Sequence, residues 1–129
     1  MIPQRKALVI DDDQTEPLII HMMLRDFGFY THGYTKLEDG IEASKGLGEN
    51  DLIFLDLLID SKVSGLLLLE KRKSGEWEWL RKIPIIVVSG RTDKETIKKA
   101  LTLGADSYII KPFSKKIVAR KIADLDGSK

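Results

Sequence analysis

Five short apolar runs, each followed by a helix-like stretch, constrain the fold of this chain more than any other feature. They are Ala7 to Ile10, Phe29 to Tyr34, Leu52 to Leu55, Ile85 to Val88 and Tyr108 to Ile110. Runs this short and apolar suit strands buried on both faces. The second carries Thr31, His32 and Gly33 and is polar enough to predict an edge position. Between the runs, Leu18, Ile19, Met22, Met23 and Phe27 read as one apolar helical stripe that follows Pro17, suited to a first turn, and stops at Gly28. Thr35-Lys36-Leu37-Glu38 and Thr92-Asp93-Lys94-Glu95 read as capping boxes, placing helix starts near residues 36 and 93, with Gly46 and Gly104 as stops. Leu66 to Lys73 predicts a third helix before Gly75, and Ser114 caps a fifth carrying Ile117, Val118, Ile122 and Leu125. The order is (βα)5. It predicts an α/β fold, a three-layer doubly wound sheet of five parallel strands with right-handed crossovers and helices on both faces.

A chain of 129 residues can bury one core, so a single domain over residues 1–129 is expected. Hydrophobic residues at 43% and charged residues at 32% exclude a disordered or membrane-embedded chain. No apolar run approaches the roughly 20 residues that cross a bilayer. Met1-Ile2-Pro3-Gln4-Arg5-Lys6 lacks the features of a signal peptide, which predicts a cytoplasmic location. With no cysteine, disulfides, thiolate metal sites and cysteine nucleophiles are excluded. A net charge of +1 carries no nucleic-acid footprint, so no nucleic-acid or membrane partner is expected for this chain.

In a doubly wound sheet, ligands bind beyond the carboxyl ends of the strands, where the strand order reverses. Strand one ends here in Asp11-Asp12-Asp13, strand three in Asp56, strand four in Ser89-Gly90 and strand five in Lys111-Pro112. Carboxylates gathered in one pocket repel each other, and a hard divalent cation with oxygen ligands holds them ionised. Mg²⁺ fits best, because Asp11, Asp12 and Asp56 then balance Mg²⁺ and Lys111. A carboxylate can attack phosphorus while the metal, the lysine and a hydroxyl such as Ser89 stabilise the transferring oxygens, giving an aspartyl phosphate.

These residues in this order resemble the response-regulator receiver family of two-component signalling, over nearly the whole chain. Leu8-Val9-Ile10-Asp11-Asp12 resembles its first strand and acid pair, and Leu52-Ile53-Phe54-Leu55-Asp56 the strand leading to its phosphorylated aspartate. Ile85-Ile86-Val87-Val88-Ser89-Gly90 continues the likeness, and Gly104-Ala105-Asp106-Ser107-Tyr108-Ile109-Ile110-Lys111-Pro112-Phe113 is its most specific stretch. The resemblance implies a flavodoxin-like strand order 2-1-3-4-5. It also implies that Asp12, Asp56 and the Leu58 backbone carbonyl ligate Mg²⁺, with Asp11 acting through water, and that Ser89 and Lys111 contact the phosphoryl oxygens. By the same resemblance Ser89 and Tyr108 form a rotamer switch, and Leu58 and Arg91 border the path of the hydrolytic water. The implied phosphoryl donor is a sensor histidine kinase or a histidine phosphotransfer protein. The output is a protein partner, or a second copy meeting through helix four, strand five and helix five. Such a chain is no turnover enzyme beyond its own phosphorylation and slow hydrolysis. The chain departs from the family after Asp56, where Leu57-Leu58-Ile59-Asp60-Ser61-Lys62-Val63-Ser64-Gly65 is one residue longer, lacks a Pro, and has Ser64 before Gly65 in place of Asp.

Taken singly, each of these signals has a plainer reading. Asp11-Asp12-Asp13 alone suits a turn or cap, and Ser89-Gly90 alone an ordinary turn. Tyr108 suits a core aromatic as well as a switch. Lys98, Lys99, Lys115, Lys116, Arg120 and Lys121 read as a solvated basic face or a docking rim. Trp77 and Trp79 read as packing residues or an exposed contact, and His21 and His32 as isolated polar residues. Asp11-Asp12-Asp13-Gln14-Thr15 also matches the Asp-x-Asp-x-Thr signature of haloacid-dehalogenase phosphatases, with Asp11 as nucleophile, although no cap domain is available for substrate selection. Flavodoxin-like binding requires a phosphate-cradling first loop, which three aspartates oppose. A non-phosphorylated interaction module is the remaining alternative.

Overall fold

The computed structural model describes residues 4–13, 16–58 and 65–127, the side chains of residues 16 and 17 apart. Five strands, β1 (Arg5–Ile10), β2 (Phe29–Tyr34), β3 (Leu52–Leu55), β4 (Ile85–Ser89) and β5 (Ser107–Ile110), pair in parallel in the order β2-β1-β3-β4-β5. They alternate with α1 (Glu16–Asp26), α2 (Leu37–Ser44), α3 (Gly65–Ser74), α4 (Lys94–Thr102) and α5 (Lys115–Gly127). This is the expected doubly wound α/β architecture, with the polar β2 at an edge. The loop that departs from the family and the Gln14-Thr15 half of the phosphatase signature lie largely outside the described residues.

Successive side chains of a strand point to opposite faces, and this splits the core in two. Leu8, Ile10, Ile53, Leu55, Ile85 and Val87 pack against α2, α3 and α4 through Leu37, Leu68, Leu69 and Ala100. Ala7, Val9, Leu52, Phe54, Ile86 and Val88 meet α1 and α5 through Ile20, Leu24, Val118 and Ile122. Continuous apolar runs are thus what a sheet covered on both sides requires.

The structure corrects the sequence reading of α1. Its buried stripe is Ile20 and Leu24, flanked by Met23 and Phe27, whereas Leu18, Ile19 and Met22 are exposed. Apolar residues occupy most of the helix circumference, and the angle at which α1 lies on the sheet selected between two stripes that periodicity alone could not separate. Both capping boxes are also displaced by one residue. Lys36 is the N-cap of α2 and makes no side-chain cap hydrogen bond, while Asp93, not Thr92, caps α4 by accepting from the Thr96 N–H at 3.0 Å. Ser114 caps α5 as expected, accepting from the Ile117 N–H at 3.2 Å. Gly28, Gly75 and Gly104 close helical segments with φ of 88°, 83° and 96°, a region open to glycine. A short 3₁₀ helix over Glu78–Lys82 was not foreseen. Trp77 and Trp79 stack there, half-buried, and the Trp79 indole donates to Ser44 Oγ, so packing is their observed use.

One partly buried guanidinium ties the lower ends of β4 and β5 to α3. Arg72 donates to the carbonyls of Leu80 at 3.2 Å and Gly104 at 2.9 Å, and to Asp106 Oδ2 at 3.1 Å. The same Asp106 oxygen accepts the Ile85 N–H at 2.8 Å. Asp106→Ala leaves both donors without this acceptor and should lower stability by about 2 kcal/mol in urea denaturation. A loss below about 0.5 kcal/mol would mean that water replaces the carboxylate.

Candidate functional site

Each residue of the acidic rim is held one step beyond a strand end by the sheet's own ladder. The Asp11 N–H donates to the Tyr34 carbonyl at 3.0 Å, Asp56 N–H to Ile10 at 2.9 Å, and Lys111 N–H to Ser89 at 2.9 Å. Backbone pairing therefore brings together the ends of β1, β3, β4 and β5. Carboxylate oxygens of Asp11, Asp12 and Asp56 lie within 4.8 Å of one another. Asp11 and Asp56 are buried, and Asp12 is exposed at the mouth. Ser89 is fully buried at the end of β4.

The Lys111 ammonium spans this cluster, donating to Asp11 Oδ2 and Asp56 Oδ2 at 3.1 Å each. The Leu58 N–H donates to the other Asp56 oxygen, Oδ1, at 3.0 Å, and the Asp13 N–H donates to Asp11 Oδ1 at 2.9 Å. Burial nonetheless dominates at Asp56 and raises its pKa from an ordinary 3.8 to about 6; the Leu58 N–H and Lys111 oppose that rise and Asp11 adds to it. Among the described residues, three carboxylates gather about one ammonium. An all-oxygen set of this kind fits a hard divalent cation, with Asp11, Asp12 and Asp56 as the side chains able to hold it. The geometry suits a nucleophilic carboxylate flanked by a cation and a hydroxyl, the arrangement phosphoryl transfer needs.

The structure thus gathers the sequence-predicted Asp11, Asp12, Asp56, Ser89 and Lys111 at one rim. Leu58 adjoins it through its backbone. Tyr108 stands one layer away, half-buried, its hydroxyl donating to the Arg91 carbonyl at 2.9 Å. The Arg91 N–H in turn donates to Ser89 Oγ at 3.1 Å. Burial raises the Tyr108 pKa, with Ser89 acting in the opposite sense, so the phenol stays protonated. Two features escaped the sequence reading: the Leu58 N–H bond to Asp56, and the loop backbone joining Ser89 to Tyr108. Both are main-chain contacts, which any residue type can make. The Lys111–Pro112 peptide is cis. His21 hydrogen bonds to Thr31 between α1 and β2, away from the rim.

Comparison with known proteins points the same way. The model of the response regulator receiver domain family matches residues 7–123. The chain is 32% identical over 125 residues to the cell cycle transcriptional regulator CtrA of Caulobacter vibrioides, covering 96% of this chain and 52% of that protein. It is also 32% identical over 123 residues to the chemotaxis protein CheY of Treponema pallidum, covering 93% and 81%. It therefore spans about half the length of CtrA and most of CheY. A two-component response regulator from Clostridium difficile superposes with a TM-score of 0.79 at 24% identity over 96% of this chain and 97% of that one, a likeness of fold.

The raised Asp56 pKa has a definite sign. The fold favours the protonated acid, so between pH 3.8 and about 6 its contribution to stability falls as pH rises. In a chelator at about pH 7.5, Asp56→Asn should melt a few degrees above the native chain, and the gap should close below about pH 4. A divalent cation held by the acidic cluster in the folded state alone would raise the native melting temperature, which a titration with millimolar Mg²⁺ checks. Equal melting at the higher pH would show that Lys111 offsets the burial in full.

Proposed function

The chain belongs to the response regulator receiver domain family, and on that premise we propose that Asp56 accepts a phosphoryl group from a sensor histidine kinase or histidine phosphotransfer protein. The observation that carries this reading is the Lys111 ammonium set between Asp11 and Asp56 at 3.1 Å from each, on a rim where Asp56 ends β3 alone. Such a chain is a signalling module, and its chemistry is limited to its own phosphorylation and slow hydrolysis.

In the proposed reaction a bond forms between an Asp56 carboxylate oxygen and phosphorus as the donor's phosphorus–nitrogen bond breaks in line, its electron pair passing to the imidazole. Lys111 turns from the carboxylates to the phosphoryl oxygens, and the buried Ser89 hydroxyl donates to one of them. The Leu58 N–H keeps Asp56 Oδ1 fixed throughout. Mg²⁺, when bound by Asp11, Asp12, Asp56 and the Leu58 carbonyl, supplies positive charge to the acidic cluster and to the transferring group.

Two surfaces support the proposed partners. Exposed Leu18, Ile19 and Met22 begin in the first turn of α1, the helix that follows the β1 end of the rim, where a donor protein would approach. Exposed Leu101 and Ile110, with Lys98 and Lys99 on the same helix as Leu101, form an α4–β5–α5 face suited to a downstream protein or a second copy, whereas Lys115 turns away to Asp26 and Phe27 at the end of α1 and leaves that face. Ser89 and Tyr108 would link rim to face. When Ser89 turns toward the phosphoryl group it changes the 89–91 loop that holds the Tyr108 hydroxyl, and one altered hydrogen bond plus charge rearrangement biases the equilibrium by about 1 to 3 kcal/mol. Tyr108 already bonds to this loop through the Arg91 carbonyl. The reading places the chain in the cytoplasm. Among the described residues no helix is long and apolar enough to cross a membrane.

Intact-mass analysis after acetyl phosphate and Mg²⁺ tests the reading. The native chain should gain one phosphoryl group, and Asp56→Asn none. Gain in Asp56→Asn but not in Asp11→Asn would transfer the nucleophile to Asp11, as in the dehalogenase-like phosphatases. The apolar Leu58 side chain offers no hydrogen bond to an attacking water, so Leu58→Asn should shorten the phosphoryl lifetime. An unchanged lifetime would put that side chain outside the water's path.

A further inference from the structure

Gly65 opens α3 under two constraints that act together. A Cβ built on it would lie 2.6 Å from the Asp56 carbonyl oxygen, 2.9 Å from Leu57 Cα and 3.3 Å from the Asp56 carbonyl carbon. These are backbone atoms, which cannot swing aside as the end of a side chain can. The φ of Gly65 does not lie in the left-handed region, so glycine is needed here for space and not for an unusual dihedral angle. Glycine is also a poor helix former, costing about 1 kcal/mol against alanine in a helix interior, so helix formation itself gives no reason for it.

What that space permits is a chain of two hydrogen bonds through a single peptide unit. The Gly65 N–H donates to the Leu57 carbonyl at 3.1 Å. The N–H at the other end of the same peptide, that of Leu58, donates to Asp56 Oδ1 at 3.0 Å. Asp56 Oδ2 is left to Lys111. The first residue of α3 thus holds the peptide that aims the carboxylate, and successive hydrogen bonds polarise one another in a buried setting.

We propose that Gly65 is a positioning residue for phosphorylation: its missing side chain lets the start of α3 grip the Leu57–Leu58 peptide, and that peptide fixes the two Asp56 oxygens in distinct roles. The inference rests on Asp56 as the phosphoacceptor. A methyl group at position 65 pushes the peptide away from α3, breaks the relay and frees the carboxylate to rotate. Displacement of about an ångström at a reacting group costs on the order of a hundredfold in rate.

The test compares native chain, Gly65→Ala and Gly75→Ala for phosphorylation by acetyl phosphate at saturating Mg²⁺. Gly75 closes the other end of α3 with φ +83° and open space around it, so Gly75→Ala strains the same helix without touching the site. Gly65→Ala should lower the limiting rate ten- to a hundredfold with little change in the half-saturating donor concentration, and Gly75→Ala should stay within about twofold of native. The ¹⁹F resonances of the beryllofluoride adduct should shift in Gly65→Ala alone. Should Gly65→Ala fail to fold, an ester in place of the Leu57–Leu58 peptide, made by incorporating the hydroxy acid of leucine at position 58, removes the same N–H without added bulk and should slow phosphorylation likewise. No phosphorylation of the native chain would defeat the phosphoacceptor reading itself. A normal native rate with an unchanged rate in Gly65→Ala or in the ester, or equal slowing in the two glycine variants, would overturn the positioning role.

Discussion

The ammonium of Lys111 sits between carboxylates contributed by two other strands, and the rim depends on that placement. Lys111 follows β5, while Asp11 and Asp56 follow β1 and β3, with β4 lying between. The lysine stem therefore crosses the end of β4, and the small Ser89 at that end allows the crossing. A bulkier residue there would block it, and a shorter cation could not span it. Removing the ammonium would leave buried Asp11 and Asp56 facing each other, a cost that buried like charges carry in any low-dielectric setting. The parallel order β2-β1-β3-β4-β5 is what makes the arrangement reachable, because it opens a crevice between the crossovers on either side of β1 and β3.

What could be read from the sequence follows from how each feature is determined. The strands were legible because a sheet covered on both faces must be apolar at successive positions, and runs such as Leu52 to Leu55 have no other ready use. The side chains at the strand ends were legible for the same reason, since a strand's last residue locates its successor. Helix α1 was not. Leu18, Ile19 and Met22 are as apolar as Ile20 and Leu24, and only the docking of the helix decides which set is buried. The caps were misplaced where neighbours compete. Thr92 and Asp93 both cap well, and a carboxylate bonded to the Thr96 hydroxyl and N–H prevails, its pKa held down to about 2 by those bonds. The grip of α3 on the Leu57–Leu58 peptide was invisible because it is made by main-chain atoms. Gly65 was the sole trace of it, and a glycine by itself does not distinguish a demand for space from a demand for conformational freedom.

The loop from Ser89 to Arg91 serves two ends of the proposed mechanism. Toward the rim, its Ser89 hydroxyl can donate to a phosphoryl oxygen while its oxygen already accepts the Arg91 N–H. Toward the outer face, its Arg91 carbonyl holds the Tyr108 hydroxyl. In that proposal, rotation of the buried Ser89 hydroxyl would reach Tyr108 through Arg91. The effect is bounded by the same economy of contacts. A phosphoryl group can shift the equilibrium only by the difference between the bonds it makes in the two states, and a path of one hydroxyl and one carbonyl carries about 1 to 3 kcal/mol. That suffices to turn a minor population into a major one without committing every molecule, so a partner that prefers one state would supply the remaining bias by binding it.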